Sequence, residues 1–400
     1  MTVMRVAVAA RLGVVVGILL LLLVVAATAS VAADGPSSLH TERRFGADVN
    51  SSSTGSPKRR FGALAGYFSP QQLTFFAGST LLPGSSYGTG TGAGFTTVSG
   101  FESNGTQQFW FADAGNDRIG RCTTGATTTQ WSTAAGAQTS DASALVYVAA
   151  LNRLYYTANG NDIRYFDADD PSTTTSRFGS STAGFVDAAT SAARFRTMYS
   201  MVLGLDGLLY GSEVDNCAIR GIPPESGTSL TAAGAKPVSC GYVDATGTAA
   251  KFNAPRQVGR DAGGTVYVGD QKYLRAMAVP AYGVTTVAGR ATDNGVTSGP
   301  SSGTYVGSVT GLAVDPKSSG AAVVIFFMSD DLFARLRKYE RGYVLTLLTT
   351  ELGLLSSVRE ALFIGGGTTT MLYIGISINV QRLRLRRTMT ISPSAASATA

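Results

Sequence analysis

One landmark returns along most of this chain: an aliphatic residue followed by arginine, at Ile163-Arg164, Ile219-Arg220, Leu274-Arg275, Leu336-Arg337 and Leu383-Arg384, with Ile119-Gly120 opening the series. Neighbouring landmarks stand between 44 and 62 residues apart, the length of one supersecondary unit that stacks on copies of itself. The fullest copy opens with Gly241-Tyr242-Val243-Asp244 and continues through Ala250-Lys251-Phe252-Asn253-Ala254-Pro255. It then gives the turn Asp261-Ala262-Gly263-Gly264, the strand Val266-Tyr267-Val268, and Asp270. Tyr273-Leu274-Arg275 and the strand Val284-Thr285-Thr286-Val287-Ala288-Gly289 close it. Gly-rich pairs supply the positive φ of hairpin turns, and β-branched or aromatic residues suit strands packed on both faces. Each copy therefore reads as four strands, and a chain with 48 Gly and only 14% charged residues reads as all-β.

A second copy starts at Gly184-Phe185-Val186-Asp187, with Ala193-Arg194-Phe195 in place of Ala250-Lys251-Phe252, then Leu205-Asp206-Gly207-Leu208-Leu209-Tyr210 and Ala218-Ile219-Arg220. A third shows Phe109-Trp110-Phe111-Ala112-Asp113-Ala114-Gly115-Asn116-Asp117-Arg118-Ile119. With these residues in place, residues 69–390 resemble the NHL-repeat β-propeller family. The resemblance is specific in three copies, and Glu351 to Ile391 keeps the hydrophobic pattern without the turn and Ala-x-Phe signatures. The expected fold is a single β-propeller. Six landmarks imply six four-stranded blades, or five or seven if a degenerate copy is merged or split.

A ring has to close on itself, whereas an open stack leaves strand edges unpaired. Leu73-Thr74-Phe75-Phe76-Ala77-Gly78 resembles the outer strand Val284–Gly289 but precedes the first full copy, and the last copy runs out after Arg387 without such a strand. The N-terminal strand is expected to complete the last blade.

Before the repeats, Arg5 and Arg11 precede an apolar run from Leu12 to Ala27, followed by small residues through Ala32. This reads as a signal peptide over 1–32 or as an uncleaved signal-anchor; both place the remainder outside the cytosol, secreted or at the cell surface. Residues 33–68 carry few apolar groups and read as a flexible stalk, and 391–400 as a disordered Ser/Ala/Thr/Pro tail.

Charge argues against nucleic acid: the formal +6 falls to about +4 without Arg5 and Arg11, and the basic residues are scattered. Lys58-Arg59-Arg60 is the one dense basic cluster and reads as solvated linker. His40 is the only histidine and lies in the stalk, which removes histidine zinc sites and Ser-His-Asp triads from the repeat region. Lyases of the family hold a metal through histidines, so the resemblance does not carry that activity here, and no cofactor or metal is expected. Asp113, Asp187, Asp206, Asp244 and Asp270 could in principle supply a carboxylate pair, but they recur at turns and strand ends, where Asp bonds its own backbone.

Arg164, Arg220, Arg275, Arg337 and Arg384 would sit at one radius, an arrangement open to a polyanion. Repetition favours structural duty instead, through bonds to carbonyls or a carboxylate of the neighbouring blade. Of the three cysteines, Cys217 and Cys240 fall on connections that share one face of a propeller, so a disulfide between them is geometrically reasonable. Cys122 reads as a small buried apolar residue. Asn50 and Asn104 fit the glycosylation acceptor pattern, with Asn104 expected exposed in a turn. The run Gly88 to Gly94 has no following Lys or helix and reads as a flexible connection, not a nucleotide loop.

The resemblance implies an extracellular or surface-displayed interaction module, a monomeric ring without enzymatic activity, touching the membrane only through an uncleaved N-terminus and presenting a loop face to a protein or glycan. The alternative is a carboxylate-based or calcium-dependent hydrolase or lyase acting in the channel, and a structural spacer is a third reading.

Overall fold

The structure is a computed structural model that describes residues 74–78, 83–104, 109–123, 127–130, 142–234, 240–292, 298–330, 334–349, 358–364, 370–376 and 379–385. All belong to the unit Tyr67–Ala400. The expected leader, stalk and tail, and with them His40, Asn50 and Lys58-Arg59-Arg60, lie outside the described residues.

The described elements are strands joined by three-residue 3-10 turns. They begin with β1 (Thr74–Gly78), followed by a sheet of β2 (Val98–Ser103), β3 (Phe109–Asp113), β4 (Arg118–Thr123) and β5 (Thr127–Gln130). The next holds β6 (Leu145–Val148), β7 (Arg153–Ala158), β8 (Asp162–Asp167) and β9 (Asp170–Gly179). Then come β10 (Met198–Leu203), β11 (Leu209–Glu213), β12 (Ala218–Ile222) and β13 (Leu230–Gly234). A fourth sheet is built from β14 (Pro255–Arg260), β15 (Val266–Asp270), β16 (Tyr273–Ala278) and β17 (Gly283–Gly289). The chain continues through β18 (Gly299–Pro300), β19 (Ser308–Val314), β20 (Val324–Asp330), β21 (Ala334–Glu340) and β22 (Tyr343–Thr349), and ends with β23 (Val358–Ile364), β24 (Thr370–Ile376) and β25 (Asn379–Leu385).

Each sheet is an antiparallel meander in chain order, with the two exceptions of β1 and β18. The local chemistry of the turns makes this topology. In the β14–β15 hairpin, Asp261 Oδ1 accepts the N–H groups of Gly263 and Thr265, both at 2.9 Å, while Gly264 takes a φ of 92° that a side chain would strain.

Apolar residues fill the spaces between successive sheets. Val146, Tyr155, Ile163 and Phe178 meet Phe195, Met201, Leu209 and Ile222. One sheet further on, Tyr210 and Ile219 meet Val258, Val266, Val268 and Met277. Leu274 and Ala288 then meet Leu312, Ile325 and Phe327. Inner strands such as β11 and β15 are covered on both faces, which is why the chain shows Val/Tyr/Phe-rich runs and little in-out alternation there. The first strands lie side by side: β2 neighbours β6 and also β23, so the last sheet returns to the first.

β1 pairs antiparallel with β25, in the register Thr74↔Arg382, Phe75↔Gln381, Ala77↔Val380 and Gly78↔Asn379, in the position the sequence assigns it. The shared Gly explains the likeness to the other outer strands. Gly78, Gly179, Gly234 and Gly289 all end a fourth strand at positive φ, and at the last three a Cβ would overlap a backbone carbonyl at the start of the third strand.

The expectation of equal four-stranded blades needs correction. Among the described residues five sheets hold four strands, whereas the sheet of β19–β22 gains β18 on its outer edge, with Gly299 and Pro300 opposite Val344 and Tyr343. This sheet follows the longest landmark spacing, and the long connection returns along β22 until Pro300, which has no N–H to extend the ladder.

Deleting residues 70–80 should expose the edge of β25. With four paired residues lost, at about 0.5–1.5 kcal/mol per hydrogen bond, the melting temperature should fall by roughly 5–10 °C and an apolar dye should bind. A truncated chain that melts with the intact one would refute closure by β1.

Candidate functional site

The landmark arginines build the loop face from which the first strands start. Asp270 ends β15 fully buried, and its Oδ1 accepts the N–H groups of Asn253 and Ala254 at 2.9 Å each. Arg275, 0% exposed, donates to Asp270 Oδ2 at 3.3 Å and reaches the carbonyls of Val243 at 3.0 Å and Lys251 at 3.2 Å. Its outer nitrogen meets Asp244 at 2.7 Å. Asp244 in turn accepts the Thr286 N–H at 2.9 Å and its hydroxyl at 3.0 Å, tying the loop to β17.

The preceding sheet repeats the set. Buried Glu213 accepts the Arg196 N–H at 2.7 Å and Arg220 at 2.9 Å, and Arg220 also binds the carbonyls of Val186 and Arg194 and the carboxylate of Asp187. Asp187 accepts both donors of Thr231. Burial pushes the Glu213 carboxyl above its ordinary range and that of Asp270 up to about 6, against the pull of their N–H and Arg partners.

The expected partners of these arginines lay in the neighbouring blade. They are found instead in the loop leading into the same sheet, because the bridges Val186↔Arg194 and Val243↔Lys251 fold that loop over the guanidinium. In the sheet of β2–β5 the work passes to Arg118, two residues ahead of Gly120: it donates to Asp113 at 2.9 Å and to the carbonyls of Gly94 and Ser85. Arg164 departs from the pattern, since Ala158 ends β7 where the others place an acid; it is half-buried and pairs with Asp162 on its own strand at 2.8 Å. Arg337 is fully buried and donates to the Tyr305 carbonyl. Arg384 lies in β25 opposite Met371, its side chain outside the described residues.

All five candidate aspartates are engaged in structure, Asp206 through the Leu208 N–H at 3.3 Å and the Tyr210 hydroxyl at 2.6 Å. Among the described residues no group of three metal-ligating side chains converges. Cys217 and Cys240 are bonded, with Cα atoms 5.6 Å apart, joining the β11–β12 turn to the loop that enters β14. The Cys122 side chain lies outside the described residues. Asn104 directly follows β2 and is half-buried, not exposed, because the strand extends to Ser103 and holds it against the sheet. The Gly88–Gly94 run is an ordered 3-10 turn pinned by Gly94 N–H to the Ser86 carbonyl at 2.9 Å, the counterpart of those at 190–192 and 247–249.

Glu102 is a residue the sequence reading missed. It lies half-buried on β2, where its carboxyl accepts the N–H of Ser103 at 2.7 Å and that of Tyr147 on β6. Burial raises it to about 7 despite these donors. An acid inside an apolar first strand was the available signal.

No protein-family model matches the chain, and no curated protein matches it. Solved structures do. A gluconolactonase from Xanthomonas campestris superposes with a TM-score of 0.51 at 13% identity, covering 72% of this chain and 86% of its own. The fold is a β-propeller. A streptogramin B lyase gives a TM-score of 0.48 at 12% identity over 78% of this chain and 97% of its own. An auxiliary nutrient binding protein from Bacteroides thetaiotaomicron gives 0.43 at 14% identity, over 74% and 60%. The expectation of no enzymatic activity does not stand on this fold, which a gluconolactonase shares.

Arg275→Ala should cost about 3–5 kcal/mol in urea unfolding, since it strands the buried Asp270 carboxylate. Asp244→Ala, removing a partner whose side chain is 47% exposed, should cost no more than about 1 kcal/mol. Equal costs would contradict the assignment of Asp270 as the principal partner.

Glu102 carries a pH signature. Its folded value lies above the unfolded one, so its contribution is complete in acid and is lost as pH rises through about 7. Wild type should lose about 1–2 kcal/mol between pH 5 and 8, allowing for partial solvent access, and Glu102→Gln should abolish that slope. Parallel pH–stability curves would show that Glu102 ionises normally.

Proposed function

We propose that this chain is an NHL-like β-propeller, secreted or displayed at the cell surface, that binds a protein or glycan through the loop face entering the first strands. One observation carries the reading: the hairpins on this face are locked from beneath by Arg220 and Arg275 yet turn Val186 (47% exposed), Tyr242 and Val243 (42%) outward. Apolar side chains held rigidly in water lose little entropy when a partner covers them. The Cys217–Cys240 bond supports an oxidising compartment, and the apolar run after Arg11 supports export.

A second reading is proton transfer at Glu102, favoured by its value near 7, where a carboxyl both donates and accepts a proton.

Pull-down from the medium or surface fraction discriminates the faces. The Val186→Asp/Val243→Asp pair should lose the specific partner, whereas Leu205→Asp, on the turn at the opposite end of β10, should retain it. Loss with Leu205→Asp alone would place binding on the other face.

A further inference from the structure

The repeat supplies a test of what each residue is for: side chains needed to build a blade recur, and side chains free for another task do not. On the hairpin before β14, four residues break the repeat while the frame beneath them keeps it. Tyr242 replaces Phe185; Gln271, after the strand-end acid, replaces Val214; Asn253, after the Phe, replaces Arg196; and Tyr273, paired with the acid, replaces Ala218.

These four come together. The rings of Tyr242 and Tyr273 lie 4.5 Å apart at 54°. The Tyr242 hydroxyl donates to Gln271 Oε1 and accepts from Asn253 Nδ2 at 3.0 Å. Among the described residues, the Gln271 side-chain NH2 donates to no acceptor and Asn253 Oδ1 accepts from no donor, so one donor group and one acceptor are left beside an exposed aromatic face. The platform is stiff. Gly241 N–H meets the Phe252 carbonyl at 2.9 Å, Val243 and Lys251 exchange two hydrogen bonds, and the Cys217–Cys240 bond lies two residues before Tyr242. Of the nearby charges, Asp270 is paired with Arg275, and Lys272 gives one of its donors to the Ala291 carbonyl at 3.0 Å.

We propose that Tyr242, Tyr273, Gln271 and Asn253 form a binding site for a neutral pyranose of a glycan. A pyranose has an apolar C–H face that lies on an aromatic ring and equatorial hydroxyls that both give and accept hydrogen bonds, the complement of two tyrosines flanked by two primary amides. A phosphate or sulfate would find no uncommitted cation among these four residues, and a purely apolar ligand would leave the amides unpaired. This site rests on the reading of the loop face as the binding face and names the ligand it takes.

Saturation-transfer NMR on the full chain tests it, with the methyl glycosides of glucose, galactose, mannose and N-acetylglucosamine as probes. Transfer to the ring protons of at least one glycoside is expected. Tyr242→Ala should weaken that binding by about tenfold or more, and Gln271→Ala by a few-fold, with circular dichroism unchanged. Leu205→Asp, on the turn at the opposite end of β10, should leave it intact. Transfer to none of the four from the folded chain, or transfer that Tyr242→Ala does not weaken, would overturn the site. If the glycosides fail while Val186→Asp/Val243→Asp still abolishes partner capture, the glycan site falls and the binding face stands. If the glycosides bind as expected while partner capture ignores both valines, the site stands apart from a macromolecular interface on that face.

Discussion

The structure depends on a buried guanidinium closed on both sides. Arg220 and Arg275 each sit between a buried acid at the end of the second strand and the carbonyls of the loop entering the first, with a partly exposed aspartate beyond. Removing a charge from water is costly unless its donors are met, and the loop folded back over the strand end meets most of them. The same interaction that satisfies the arginine therefore shapes the face on which ligands would land. Stability and presentation are one device, and variation has to enter at the positions the device leaves alone.

This explains which parts of the chain could be read without coordinates. The Ile/Leu-Arg landmark was legible because a buried charge tolerates few substitutes, and the terminal Ala-Gly because a side chain would strike a carbonyl. The exchange of β1 into the last sheet followed from the same Gly. Arg118 was missed because the first copy meets its acid two residues earlier, at the strand start opposite Asp113, a register choice that the landmark does not encode. Arg164 was read as one of a set although its partner acid had moved to Asp162, on the same strand. The site of Tyr242 and Tyr273 was illegible for a different cause: bringing them together needs a two-residue turn between β15 and β16, which pattern alone does not place against a hairpin some thirty residues away.

Similarity to a gluconolactonase structure speaks to how the strands are arranged and stops there, at 13% identity. The propeller supports catalysis and recognition alike, and the difference lies in a handful of side chains grafted on a common frame. In this chain the aspartates of the repeat are committed to that frame. Chemistry or recognition would then fall to residues outside the repeat pattern, such as Glu102 near the first strands and the tyrosine-amide group on the rim.

The partnership of Thr74 with Arg382 has a consequence in time. The earliest described strand finds its neighbour roughly three hundred residues later, so assembly is governed by a contact of very high sequence separation. Until β25 emerges, the nascent chain must carry a waiting strand with an open edge through synthesis, a state that other growing chains can invade. A protein built this way needs its early segments shielded until that partner strand has been made.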